Sequence, residues 1–357
     1  MTKSLMKKTL VVAMSAAFAA GVAAENNPAR GSGAYHWDSL DKFDDMDLSG
    51  QTVTVAGPWL APENATFNAV LSYFEDATGA DVQYSGSDSF EQQIRIDLQA
   101  GSPPNLAIFP QPGLAADMAS QGLLEPLSSD LRDIISNDFA ASQSWIDLGT
   151  YADENGDDQF YGIFYRVNVK SLVWYSPDNF ADYGYDVPET MEELIELSDQ
   201  MVADGVTPWC IGLGSGAATG WPATDWVEDM MLRVNEPSVY DQWVSHEIPF
   251  NDPRVVEAID LFGQFAKNDD YVQGGSQAVA STDFRESVNG LFSIPPGCFM
   301  HRQAEILQSA DTFRFDGSDL MPGGIGAGAF WTGMVDYVSG DSAEDVADDI
   351  ESAWENL

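Results

Sequence analysis

The sequence predicts an α/β protein of two lobes, each a mainly parallel sheet flanked by helices. Three observations predict it. From Thr52 to Gln121, short strand-like runs alternate with amphipathic helical runs, the pattern of a parallel sheet with right-handed crossovers. A second series of strands and helices runs from Phe160 to Trp354. The 357 residues exceed the usual size of one domain, yet no repeat or low-complexity linker divides them.

The elements follow in order. Thr52–Ala56 alternates as a strand. Residues 62–78 read as a helix, with Phe67, Val70, Leu71 and Phe74 on one face and Gly79 as its stop. Residues 81–84 make a second strand. Residues 90–100 make a second helix, striped by Phe90, Ile94 and Leu98. Residues 105–109 form a third strand and 112–121 a third helix. Between Leu127 and Phe160 the pattern is weak. Residues 160–165 and 171–175 then read as strands. A helix opens at Pro188 and runs to Ala203. Residues 208–213 read as a strand, 222–233 and 252–267 as helices, 290–294 as a short strand and 343–354 as the last helix.

The first segment stands apart from the fold. Lys3, Lys7 and Lys8 precede an uncharged Ala-rich run that ends in Val22, Ala23 and Ala24. This is the pattern of a secretory signal peptide over 1–24, too short for a convincing membrane span. The expected organisation is this leader, a flexible arm over 25–48, a first lobe of 49–163 plus about 289–304, and a second lobe of 164–288 plus about 305–357. Crossings near 161–166 and 291–293 are the expected hinges. The product is expected in the periplasm, as a monomer without membrane insertion once the leader is cleaved.

The net charge is −42, and −45 without the three leader lysines. Such a chain repels nucleic acid and anionic membrane, which require basic surface. The acids are scattered, which favours solvation over capture of a cation. Cys210 and Cys298 are the only cysteines, and in an oxidising compartment they are a candidate disulfide. His36, His246 and His301 are scattered and form no Cys/His cluster of zinc-site spacing, so no zinc site is expected. No metal or other cofactor is expected.

Loops at the carboxyl ends of parallel strands are where such sheets bind ligands. Here those loops carry Trp59 and Glu63, then Asp88, then Gln111, then Trp221, Asp225 and Trp226, and finally Trp331. Flat rings beside amides and carboxylates suit a neutral polyhydroxylated ligand, its C–H face stacked and its hydroxyls hydrogen-bonded.

Five segments carry a resemblance: Phe109 to Gly113, Lys170 to Tyr175, Gly216 to Glu228, Pro295 to Arg302, and Phe330 to Gly333. With these the chain resembles the extracellular carbohydrate-binding proteins of ABC importers, of the alpha-glucoside type within the maltodextrin-binding-like superfamily. The resemblance implies a two-lobed periplasmic binding protein that captures a neutral mono- or oligosaccharide by lobe closure. It implies delivery to a membrane permease and no catalysis. It implies binding roles for Trp59, Glu63, Asp88, Gln111, Trp221, Asp225 and Trp331. Members of this family are longer. Here the motif ending at Gln303 abuts the segment beginning at Glu305, which reads as an internal loss at Ala304, with a compact variant of the family as the alternative.

Other patterns fail on spacing. Asp153 to Asp158 lacks the glycine and bidentate Glu of an EF-hand loop, and Asn155-Gly156 reads better as a hairpin turn. Gly323 to Gly328 has no phosphate-binding Lys, and Gly212 to Gly216 misses the dinucleotide spacing. Glu63 and Asp88 as a glycosidase pair would make the chain a secreted hydrolase, and a sugar sensor for a receptor is a further alternative.

Overall fold

The computed structural model describes residues 28–33, 37–61, 63–139, 142–164, 168–306 and 316–357. The expected leader lies outside the described residues. The chain divides into two units, residues 1–108 and 109–357.

The first unit is built on three parallel strands. β1 (Thr52–Gly57) lies between β2 (Asp81–Gly86) and β3 (Leu106–Ala107), with Val53 opposite Val82 and Ala56 opposite Ala107. The crossovers are α1 (Glu63–Thr78) and α2 (Phe90–Gln99), as the periodicity predicts. β3 is shorter than expected. Asn105 is outside it and instead binds Thr54 through its side chain, Thr54 N–H donating to Oδ1 at 2.9 Å. A 3-10 helix, Trp37–Phe43, precedes the sheet and sets Phe43 edge-on to Phe74 of α1 at 5.3 Å.

The second unit opens with α3 (Pro112–Ala119). Pro at its first turn costs no hydrogen bond there. The weakly patterned stretch that follows holds two helices, α4 (Ser129–Asp138) and α5 (Ser142–Leu148). Each is short and offers few apolar residues, which hid it in the sequence. Ile135 and Ile146 pack with Phe160 into a small core of their own. β4 (Thr150–Ala152) and β5 (Asp158–Phe160) form an antiparallel hairpin. Its turn is the expected one: Gly156 has φ +84°, and Asp153 Oδ1 accepts from the N–H groups of Asn155 and Asp157. The strand expected over 160–165 is thus a hairpin arm that ends at Phe160.

β6 (Asn168–Tyr175) comes next, then α6 (Pro177–Tyr183) and α7 (Met191–Ala203). α7 starts three residues later than Pro188 implied, because Thr190 and Glu193 close a capping box at its true beginning. Residues 208–213 are extended but make only single-residue bridges, Trp209 with Val272 and with Met300. Their backbone is nonetheless satisfied: Trp209 N–H donates to Tyr271 O at 2.8 Å and Cys210 N–H to Met300 O at 2.8 Å. α8 (Trp221–Val234), α9 (Pro237–Val244), α10 (Pro253–Ala266) and the single turn α11 (Phe284–Ser287) follow.

The strand expected at 290–294 is a 3-10 turn, Val288–Phe292. The Gly290 carbonyl explains this correction. It accepts from Gly297 N–H at 2.9 Å and from Ser293 Oγ at 3.0 Å, so it is spent inside its own loop and cannot enter a ladder. β7 (Met300–Ile306) pairs antiparallel with β6, Trp174 opposite His301. After it come α12 (Gly317–Leu320), a π-helical turn Ile325–Phe330, α13 (Trp331–Ser339) and α14 (Ala343–Glu355). The glycine run of 323–328 therefore leads into a helix. The main core joins α7, α8, α10, α13 and α14 around Trp209, Trp243, Phe250, Phe262 and Phe330. Cys210 and Cys298, 88 positions apart in sequence, are bonded, and Leu291 and Val288 pack on the bridge.

Candidate functional site

In the first unit, Trp59, Glu63 and Asp88 lie on the two loops that leave β1 and β2. Trp59 is half-buried, stacked on Tyr84 at 6.3 Å and tilted against Phe67 at 5.2 Å. Its backbone N–H donates to Tyr84 Oη at 2.8 Å, so a strand residue fixes the loop that carries the ring. Glu63 is the first residue of α1 and exposed. Asp88 is half-buried in the turn before α2.

In the second unit, Gln111, Trp221 and Trp331 stand at helix starts, and Asp225 lies one turn into α8. Gln111 caps α3 and is 6% exposed, yet its Oε1 finds no donor among the described residues. Trp331 opens α13 and is 4% exposed, and its Nε1–H finds no acceptor among them. Buried polar atoms are nearly always paired, so two orphans of opposite kind are atoms that a hydroxylated ligand could satisfy.

Trp221 opens α8 and is half-buried, edge-on to Phe284 at 4.9 Å. Gly220 before it has φ +114°, and a Cβ there would sit 2.2 Å from the Trp331 carbonyl oxygen. Only glycine allows this approach, which brings the Trp331 backbone against the start of α8.

Asp225, one turn further along α8, is 5% exposed and lies in a buried charged cluster. Lys170 Nζ stands 2.8 Å from Asp225 Oδ1 and 2.5 Å from Asp316 Oδ2. Glu228 accepts from Gly317 N–H at 3.1 Å and Ser318 N–H at 3.0 Å, closing the start of α12 onto α8. Arg302 from β7 donates to the Asp225 carbonyl at 2.7 Å and pairs with Asp229 at 3.4 Å. Burial pushes the Asp225 carboxyl up to about 7, against the pull of Lys170. Burial also raises Glu228 well above the ordinary range, helped by the negative charge of Asp316. Asp316 is held below the ordinary range despite its burial, chiefly by Lys170 and by hydrogen bonds from its neighbours. The directions of these shifts favour the ionised carboxylate at Asp316, beside the ammonium of Lys170.

Sequence reasoning named Asp225 but not Lys170, Glu228, Arg302 or Asp316. One signal was present. Lys170 is one of six lysines in a chain of charge −42, and it is the one charged residue of β6. Grooves of about 610 Å³ between α10 and α14 and about 430 Å³ beside β1 and β2 are lined by none of the seven predicted residues.

Residues 57–292 match the family model described as bacterial extracellular solute-binding protein, about two thirds of the chain. The chain belongs to this family. Its sequence is 44% identical to the alpha-glucosides-binding periplasmic protein AglE of Rhizobium meliloti (strain 1021), over 90% of this chain and 91% of that protein. It is 36% identical to the osmoprotective compounds-binding protein GgtB of Synechocystis sp. (strain ATCC 27184 / PCC 6803 / Kazusa), over 86% of this chain and 93% of that protein. Among solved structures, the GacH receptor of Streptomyces glaucescens GLA.O superposes with a TM-score of 0.62 at 13% identity, covering 87% of this chain and 98% of that one. That likeness shows the fold, and the fold class is the periplasmic-binding-protein class expected from the sequence.

As a solute-binding protein the chain is short. The AglE alignment runs over 418 positions, while 90% of 357 residues is about 321, so close to a hundred positions of AglE face no residue here. That shortfall is large enough for several strands and helices, and the expectation from the sequence puts a loss at Ala304. Residues 307–315, beside it, lie outside the described residues. Among the described residues no helix is long and apolar enough to cross a membrane.

Proposed function

We propose that this solute-binding protein captures a neutral alpha-glucoside in the periplasm and delivers it to an ABC permease, without catalysing a reaction. The observation that carries the reading is the identity of 44% to AglE over nine tenths of the chain. The chemistry of the predicted residues supports it. Trp221 and Trp59 are half-buried rings suited to stacking on a sugar face, while Gln111 Oε1 and Trp331 Nε1 are an acceptor and a donor without protein partners among the described residues.

The lobes of this reading are 49–163 plus about 289–304 and 164–288 plus about 305–357, and ligand favours their closed arrangement. The leader over 1–24 directs export, and the exported chain is a monomer. The test is a thermal-shift screen of the purified chain against maltose, trehalose, sucrose, glucose and longer glucosides. A ligand that binds only the folded form raises the melting temperature by mass action. A shift with a glucoside and none with amino acids supports the reading. A cooperative melt unmoved by every glucoside overturns it.

A further inference from the structure

We infer that Lys170 is the positioning residue of the ligand site, aimed at the Trp221 ring by a bulge in β6 and held there by carboxylates from two separate elements. The inference rests on the reading above in taking Trp221 as a ligand platform. Three observations on different parts of the chain carry it.

The first is backbone. The β6–β7 register shifts between Val169 and Leu172, and Ser171 adopts φ +71°. A non-glycine residue in that region is strained, and bulges re-aim the side chains beside them. Here the side chain beside the bulge is Lys170, which turns toward α8 and α12 although the strand continues through Val173 and Tyr175 into the core.

The second is the anchoring. Lys170 Nζ reaches Asp225 on α8 and Asp316 at the start of α12 at once, at 2.8 and 2.5 Å. Two carboxylates on different helices restrict a flexible lysine to one place, which a single partner does not do. Buried ion pairs of this kind contribute little net stability, because desolvation offsets the attraction. A strained backbone that serves such a pair points to a role beyond stability.

The third is the ring. Lys170 Nζ lies 5.4 Å from the centroid of Trp221, within cation–π range, while Phe284 meets the same ring edge-on. Its side chain is 28% exposed, so the ammonium sits at the border between the buried carboxylates and the half-buried indole. The ring is thus held from two directions by groups whose own positions are fixed.

A double-mutant cycle tests this, with K170M, W221F and the pair, reading the affinity for maltose or whichever glucoside shifts the melt. If Lys170 acts through Trp221, K170M weakens binding by about tenfold alone and adds less than threefold on top of W221F. Fully additive effects overturn the proposal and make Lys170 a structural residue only. K170R, which keeps the charge, should recover most of the affinity. If K170M does not fold, the same cycle is read with K170Q, which removes the charge but keeps a polar group beside the carboxylates. The ligand-free protein gives a second readout, the Trp221 emission obtained by subtracting the W221F spectrum. K170M must alter that emission, and an unchanged difference spectrum overturns the proposal even where no sugar binds. A changed emission with no sugar bound sustains the Lys170 contact and rejects the functional reading instead.

Discussion

A Cβ placed on Gly220 would lie 2.2 Å from the carbonyl oxygen of Trp331, so two residues far apart in sequence are locked at the start of one helix. Gly220→Ala must displace one backbone or the other, and it also forces φ +114° on an alanine. We expect a loss of about 2–4 kcal/mol, combining conformational strain with overpacking. The urea midpoint checks it, and an unchanged midpoint would mean that the two segments are not held together in solution.

Trp221→Ala and Trp331→Ala should both weaken glucoside binding by tenfold or more, about 1.4 kcal/mol. They differ in stability. Trp331 is buried, so its truncation should also cost about 3–5 kcal/mol, whereas half-buried Trp221 costs less. Trp331→Phe keeps most of the packing and removes the Nε1–H donor. Calorimetry on that variant reads the hydrogen bond alone, and unaltered affinity would remove Trp331 Nε1 from the site.

Reduction of the Cys210–Cys298 bridge should lower stability by about 4–5 kcal/mol on the chain-entropy model, since the two cysteines are 88 positions apart. Cys298→Ser should do the same. Melting in the presence and absence of a reductant measures it. A shift of less than a degree would show that the packing of Leu291 and Val288 holds the loop without the bond.

The buried carboxyls should make stability fall as the pH rises from about 4 to about 7. Asp225 and Glu228 hold their protons more tightly in the folded chain, so the stability they lend is complete below their ordinary values. It falls as the pH rises above those values and, for Asp225, is gone once the folded carboxyl ionises near 7. Burial lowers His301, which acts in the opposite sense as the pH approaches its ordinary value of 6.5 and offsets part of that fall. Asp316, held low, loses its contribution only in strong acid. Each proton released costs up to about 1.4 kcal/mol per pH unit. Asp225→Asn should flatten the profile in denaturant titrations across this range, and an equally steep profile would place the titrating group elsewhere.

Local pattern carried the regular elements, because an amphipathic stripe or a cap is written in a few neighbouring residues. α1, α2, α8, α10 and α14 came within a few residues of their observed bounds for that reason, and Thr190 with Glu193 shows how a cap overrides a nearby proline. α4 and α5 escaped notice because each is short, with Leu131, Ile134 and Ile135 the large apolar residues of one and Trp145, Ile146 and Leu148 those of the other. The 290–294 segment misled because its composition suits a strand, while Ser293 and Gly297 turn the Gly290 carbonyl inward.

The motifs also marked the candidate aromatic and amide residues, since stacking and hydroxyl recognition demand those residue types wherever they fall. What the primary structure determined, then, was the α/β class, the family-bearing motifs and the identity of the residues at the helix starts. What only the tertiary structure decided was their company. Lys170, Asp225 and Asp316 are distant in the chain, and their ionisation depends on burial and on separations of a few ångströms. Charge energies in a low-dielectric interior change steeply over such distances, and no spacing along a sequence encodes them.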